Sequence, residues 1–169
     1  MQNETKEGGG EGRDGTRRLV AVVLDDNSLV HTNADIEHER RVAIFDLLED
    51  NVFAPVGAPD GPYRLTLAVA ENRLVFDIRH EDERPLTRVV LPIRPLRRIV
   101  KDYFLMCESY YNAIRKATAQ QIEAIDMGRR ALHNEGSELL METLDGKIAT
   151  DHDTARRLFT LLCVLHFKG

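Results

Sequence analysis

An α+β fold is predicted: a mainly antiparallel sheet of about four strands, packed against a C-terminal group of helices. The sheet comprises one N-terminal strand and a three-stranded meander, and the order of elements is β-α-β-β-β-α-α-α-α. Three observations lead there. Residues 19–24 are an unbroken, valine-rich apolar run. Between residues 63 and 93, apolar and polar residues alternate with period two in three successive stretches. Beyond Pro95 the apolar spacing changes to three and four residues, the period of a helix face.

Residues 1–16 carry Gly8-Gly9-Gly10 and mixed charge. They hold too little apolar surface to offset ordering entropy and are expected to be a disordered tail. Residues 17–169 are expected to form one domain. The run 19–24 reads as a strand buried on both faces, near the middle of a sheet. A polar loop, 25–33, leads to Asn33 or Asp35 as cap of a helix over 36–49. Its core face would use Ile36, Val42 or Ala43, Phe45 or Asp46, and Leu47 with Leu48. The Pro- and Gly-rich stretch 51–62 reads as a long surface connection.

Leu65, Leu67 and Val69 alternate with polar or small residues, as do Leu74, Phe76 and Ile78. A tight Glu71-Asn72 turn joins the two strands as a hairpin. A third strand, 86–93, carries Pro92, which suits a sheet edge because proline donates no ladder bond. Pro95 opens the next helix. Its stripe of Leu96, Ile99, Val100, Tyr103, Phe104, Cys107, Tyr110, Tyr111 and Ile114 is expected to cross the inner face of the sheet.

Thr118 with Gln121 fits a capping box. Ile122, Ile125, Gly128 and Leu132 then share a helix face. Gly128 costs about 1 kcal/mol against alanine, which points to close approach of a second helix. Asp126 and Arg130 stand i,i+4, acid first, the favourable order for an ion pair. Asn134-Glu135-Gly136-Ser137 looks like a glycine stop followed by a serine start, so an elbow and a second helix, 138–144, are expected. Asp151 to Thr154 cap a last helix, 155–166, that is apolar nearly all round and hence buried.

The net charge of −5 argues against general nucleic-acid binding. No apolar run is long enough to span a bilayer, and no signal peptide is visible. Cys107 and Cys163 sit in apolar helical surroundings and read as reduced core thiols of a cytoplasmic protein. No phosphate-binding glycine loop, serine-hydrolase elbow or paired metal motif occurs, and no cofactor is expected.

Arginine outnumbers lysine 18 to 5, with five Arg-Arg pairs. Arg94, Arg97, Arg98 and Lys101 crowd the start of a helix, where free amides and the dipole favour anions. Arg129, Arg130 and Asn134 are the second candidate anion group. His133 and Glu135 are the candidate proton-transfer pair beside them; satisfying the ends of an elbow is the competing structural role. His31, Asp35 and His38 have a weak metal-ligand spacing, and no metal is expected.

Several stretches resemble the uncharacterised bacterial family UPF two-six-two. They are Asn33-Ala34-Asp35-Ile36-Glu37-His38-Glu39-Arg40, residues 71–79, Lys101-Asp102-Tyr103-Phe104 with Cys107-Glu108-Ser109-Tyr110-Tyr111, residues 122–130 with His133-Asn134-Glu135-Gly136, and Asp153-Thr154-Ala155-Arg156-Arg157-Leu158-Phe159-Thr160. The resemblance spans residues 19–169. It implies a small cytoplasmic alphaproteobacterial protein, and no activity, cofactor or catalytic residue that transfers to a position here. With no specific catalytic signature beside a large apolar helical part, a non-catalytic binding or regulatory protein is expected, self-associating, with an unknown protein or a small anionic ligand as partner. The alternative is a small enzyme acting on a phosphorylated or carboxylated metabolite, with Arg97, Arg98, Arg129 and Arg130 holding the anion.

Overall fold

Leu19–Leu24 (β1) and Ala34–Glu49 (α1) lead into the short strand Phe53–Pro55 (β2) in a computed structural model describing residues 16–25 and 34–166. The meander follows as Tyr63–Ala70 (β3), Arg73–His80 (β4) and Pro85–Pro92 (β5). The rest is Arg94–Lys116 (α2), Ala119–Leu144 (α3), Ile148–Thr150 (β6) and His152–His166 (α4). The tail 1–15, most of the 25–33 loop, the Asn33 cap and His31 lie outside the described residues.

The α+β class holds, and so does the succession of leading strand and helix, meander, then helices. The main sheet has the order β1-β3-β4-β5. It is mixed: β1 pairs parallel with β3, while β3–β4 and β4–β5 are antiparallel. The hairpin turns at Glu71 (φ 52°) and Asn72 (φ 62°), the two positive values that a two-residue turn of the strand-matching kind requires. β5 is an edge, as Pro92 suggests.

β1 is the other edge, not a central strand, and Val23 is 53% exposed. A side chain substitutes for the missing neighbour at its start. The Asn51 Oδ1 accepts from Leu19 N at 2.7 Å, and its Nδ2 donates to the carbonyls of Leu19 and Leu47. The stretch 51–62 is also more than a surface connection. All three residues of β2 are buried, and β2 pairs antiparallel with β6. Three-residue strands have no period for a sequence to display, which is why both were missed.

The core joins Leu65, Leu67, Phe76 and Ile78 of the sheet to Leu158, Phe159, Leu161 and Leu162 of α4. α4, rather than α2, is the helix that packs on β3; α2 packs chiefly on α3, and α3 on α4. On α1 the buried residues are Ile36, Ala43 and Leu47. Phe45 is 65% exposed and Val42 also faces out.

The capping box is present: Gln121 N donates to Thr118 Oγ1 at 3.3 Å and Thr118 N to Gln121 Oε1 at 3.1 Å. The expected elbow is absent, because α3 runs unbroken from 119 to 144. Gly136 is a packing glycine: a Cβ there would overlap the Phe159 ring of α4. Ser137 satisfies its hydroxyl within the helix by donating to the His133 carbonyl at 2.6 Å. Gly128 meets Met106 of α2, the close approach its position implies. Asp151 caps α4 by accepting from Thr154 N at 2.8 Å.

Candidate functional site

Along α3, Asp126, Arg129, Arg130 and His133 follow at steps of three and one, then three, so they share one stripe of the helix. Asp126 is the anchor. Its Oδ1 accepts from Arg129 Nε at 3.1 Å and Nη2 at 2.6 Å. Its Oδ2 accepts from Arg130 Nε at 2.9 Å and from Arg130 Nη2. These bonds hold the Asp126 carboxyl below the usual carboxylate range. The Arg129 guanidinium also stacks over Tyr110 of α2, 4.7 Å from the ring centroid.

His133 stands one turn further on. Tyr103 and Phe159 meet its ring edge to face, at centroid distances of 5.2 and 5.3 Å. Its Nε2 lies 2.7 Å from Thr160 Oγ1 of α4. The Thr160 hydroxyl also lies 3.3 Å from the Arg156 carbonyl, and His133 Nδ1 lies 3.5 Å from Ser137 Oγ. Burial, helped by the charges of Arg156 and Arg129, pushes the His133 pKa down to about 4.

These side chains open on a cavity of about 530 Å³ bounded by all four helices. α1 contributes His38, Glu39, Val42, Ala43 and Asp46; α2 contributes Tyr103, Tyr110 and Tyr111. Arg129, Arg130 and His133 come from α3, and Asp153, Arg156, Arg157 and Thr160 from α4. Arg156 donates to the neutral amide oxygen of Asn134. Among the described residues neither Arg156 nor Arg157 has a carboxylate within ion-pair distance. Burial raises the Glu39 pKa, against the opposing pull of the neighbouring Tyr111 hydroxyl and of Arg129.

The candidates from sequence divide clearly. Arg129, Arg130 and His133 converge on the cavity, and Asn134 sits at its border holding Arg156. Glu135 is exposed and does not line it. Pairing Glu135 with His133 needed the elbow; in a continuous helix residues two apart point to different sides. Arg94, Arg97, Arg98 and Lys101 are all exposed at the start of α2 and do not join Arg129 and Arg130. Arg97 reaches back to Asn72 Oδ1 in the hairpin turn, and Arg98 pairs with Asp102 at 3.9 Å. Asp35 pairs with Arg115 at 3.7 Å, while His38 lines the cavity. Among the described residues no group of three His, Cys, Asp or Glu side chains is placed to hold a metal.

Sequence reasoning missed Glu39, Asp46, the three tyrosines, Thr160 and the pair Arg156-Arg157 as members of this site. The doubled arginine was a visible signal. The tyrosines were hidden within a stripe that also builds the core. The stretches that resembled a known family supply most of the lining.

A family model described as "Uncharacterised protein family (UPF0262)" matches residues 16–168. The chain belongs to the UPF0262 family. Curated relatives carrying that name come from several alphaproteobacteria. A UPF0262 protein of Nitrobacter hamburgensis is 58% identical over 156 residues, 92% of this chain and 95% of its own length. One from Xanthobacter autotrophicus is 61% identical, covering 90% of this chain and 93% of that one. One from Rhodospirillum rubrum is 59% identical, over 95% and 98% of the two chains. No solved structure matches. Both cysteines of this UPF0262 chain are free and buried, and burial pushes the Cys107 thiol up to about 11. No helix among the described residues is long and apolar enough to cross a membrane.

Proposed function

We propose that this UPF0262 protein is a non-catalytic cytoplasmic binding or regulatory module whose four-helix cavity takes a small phosphorylated or carboxylated ligand. One observation carries the reading. Four arginines line a single cavity, one carboxylate serves two of them, and the other two have no acidic partner among the described residues. Guanidinium forks fixed in this way present paired donors to phosphate or carboxylate oxygens. The enzymatic alternative loses support because Glu135 lies outside the cavity.

Titration calorimetry with inorganic phosphate and citrate tests the reading. Binding of at least one is expected, and Arg156→Gln with Arg157→Gln is expected to weaken it about tenfold or more, the equivalent of about 1.4 kcal/mol. Absence of binding by both anions, or affinity unchanged in the variant, would contradict it. The protein is further proposed to self-associate through exposed apolar side chains such as Phe45, Leu105 and Met127. Light scattering behind a sizing column reads this directly, and a monomer across the micromolar range would refute it.

A further inference from the structure

We infer that the ligand carries a protonated amine as well as its anionic group, with the amine held by α1 and the anion by α3 and α4. This deepens the anion reading above and rests on it. The cavity's charges divide largely by element, with Asp153 of α4 the one acid among the arginines. Glu39 and Asp46, seven residues apart and therefore on one face of α1, supply its acids on that side. The arginines come from α3 and α4.

α1 packs directly on α4. Even so, no ion pair joins Glu39 or Asp46 to Arg156 or Arg157 among the described residues. Arg129 acts on Glu39 at a distance, but opposite charges that share a cavity without closing into an ion pair leave capacity for a ligand between them. A site meant for an anion alone would gain from having no carboxylates in its wall, since like charges repel. Glu39 and Tyr111 line the same wall, and a carboxylate there has acceptor capacity for an N–H donor. Burial raises the cost of that charge, and an ammonium arriving beside it would relieve the cost.

Calorimetry on the full chain with matched probes tests this: phosphoethanolamine against ethyl phosphate, and 4-aminobutyrate against butyrate. In at least one pair the aminated probe is expected to bind about tenfold tighter or more. The double variant Glu39→Gln, Asp46→Asn is expected to bring that pair to parity, with the amine-free probe bound as well as before or better. If the amine-free probes bind the unaltered chain as tightly as their partners, the amine inference falls and the anion reading stands. If no probe of either kind binds, both fall. If the preference survives the double variant, the amine is not held by α1 and the inference is wrong.

Discussion

His133 is kept neutral by its neighbours: two aromatic rings, the Thr160 hydroxyl and the charges of Arg129 and Arg156 surround it. Its folded pKa, about 4, lies below the ordinary 6.5. The unfolded chain therefore takes up a proton first as pH falls. The contribution to stability is complete above pH 6.5 and is lost progressively as pH drops toward 4. Glu39 is shifted the other way, so the clean measure is a difference. Denaturation of the native chain and of His133→Gln, followed from pH 7 to 4, should show the native chain losing on the order of 2 kcal/mol more, after allowance for part-exposure. Parallel pH profiles would contradict this. Of these residues, Arg129, Arg130 and His133 could be picked out in the sequence because they are polar and clustered. Glu39 and Asp46 could not, because nothing in the spacing of α1 separates a charge facing a cavity from one facing water.

Helix α3 carries two glycines for two different reasons, and they should respond oppositely to substitution. Gly136 lies under the Phe159 ring, which is fully buried and has no room to retreat. Gly136→Ala is expected to cost about 1–3 kcal/mol by overpacking. Gly128 meets only the flexible end of Met106, 3.2 Å from where its Cβ would be. Gly128→Ala is expected to be neutral or to stabilise by up to about 1 kcal/mol through helix propensity. Urea unfolding of both variants reads the contrast, and a Gly136→Ala protein as stable as the parent would argue for a helix break after all. The hairpin, the Thr118 capping box and the Asp126 ion pairs were legible because each depends on residues within four positions. Asn134-Glu135-Gly136-Ser137 was misread for the complementary reason. Its glycine is explained by a phenylalanine twenty-three residues later, which no local rule can see.

At the level of the molecule, two of the places where distant parts of the chain meet stand out. The helical cavity is one; the other is Asn51, whose side chain ties the end of α1 to the free edge of β1. Asn51→Ala would leave the Leu19 N–H without its partner and is expected to destabilise by about 2–3 kcal/mol. Hydrogen exchange should show early opening of β1, and unchanged protection there would count against the assignment. The α+β layout and the succession of strands and helices were readable from hydrophobic period alone. The parallel β1–β3 pair, the β2–β6 pair and the choice of α4 to cover β3 were not, since each is a long-range partnership.

The claim on which most depends is that anions enter the space between the four helices and not the exposed cations at the start of α2. An NMR titration with ethyl phosphate, following backbone amides and guanidinium groups, separates the two. Shifts are expected at Arg129, Arg130, His133, Arg156 and Arg157. Shifts confined to Arg94, Arg97, Arg98 and Lys101, or none at all, would contradict the account.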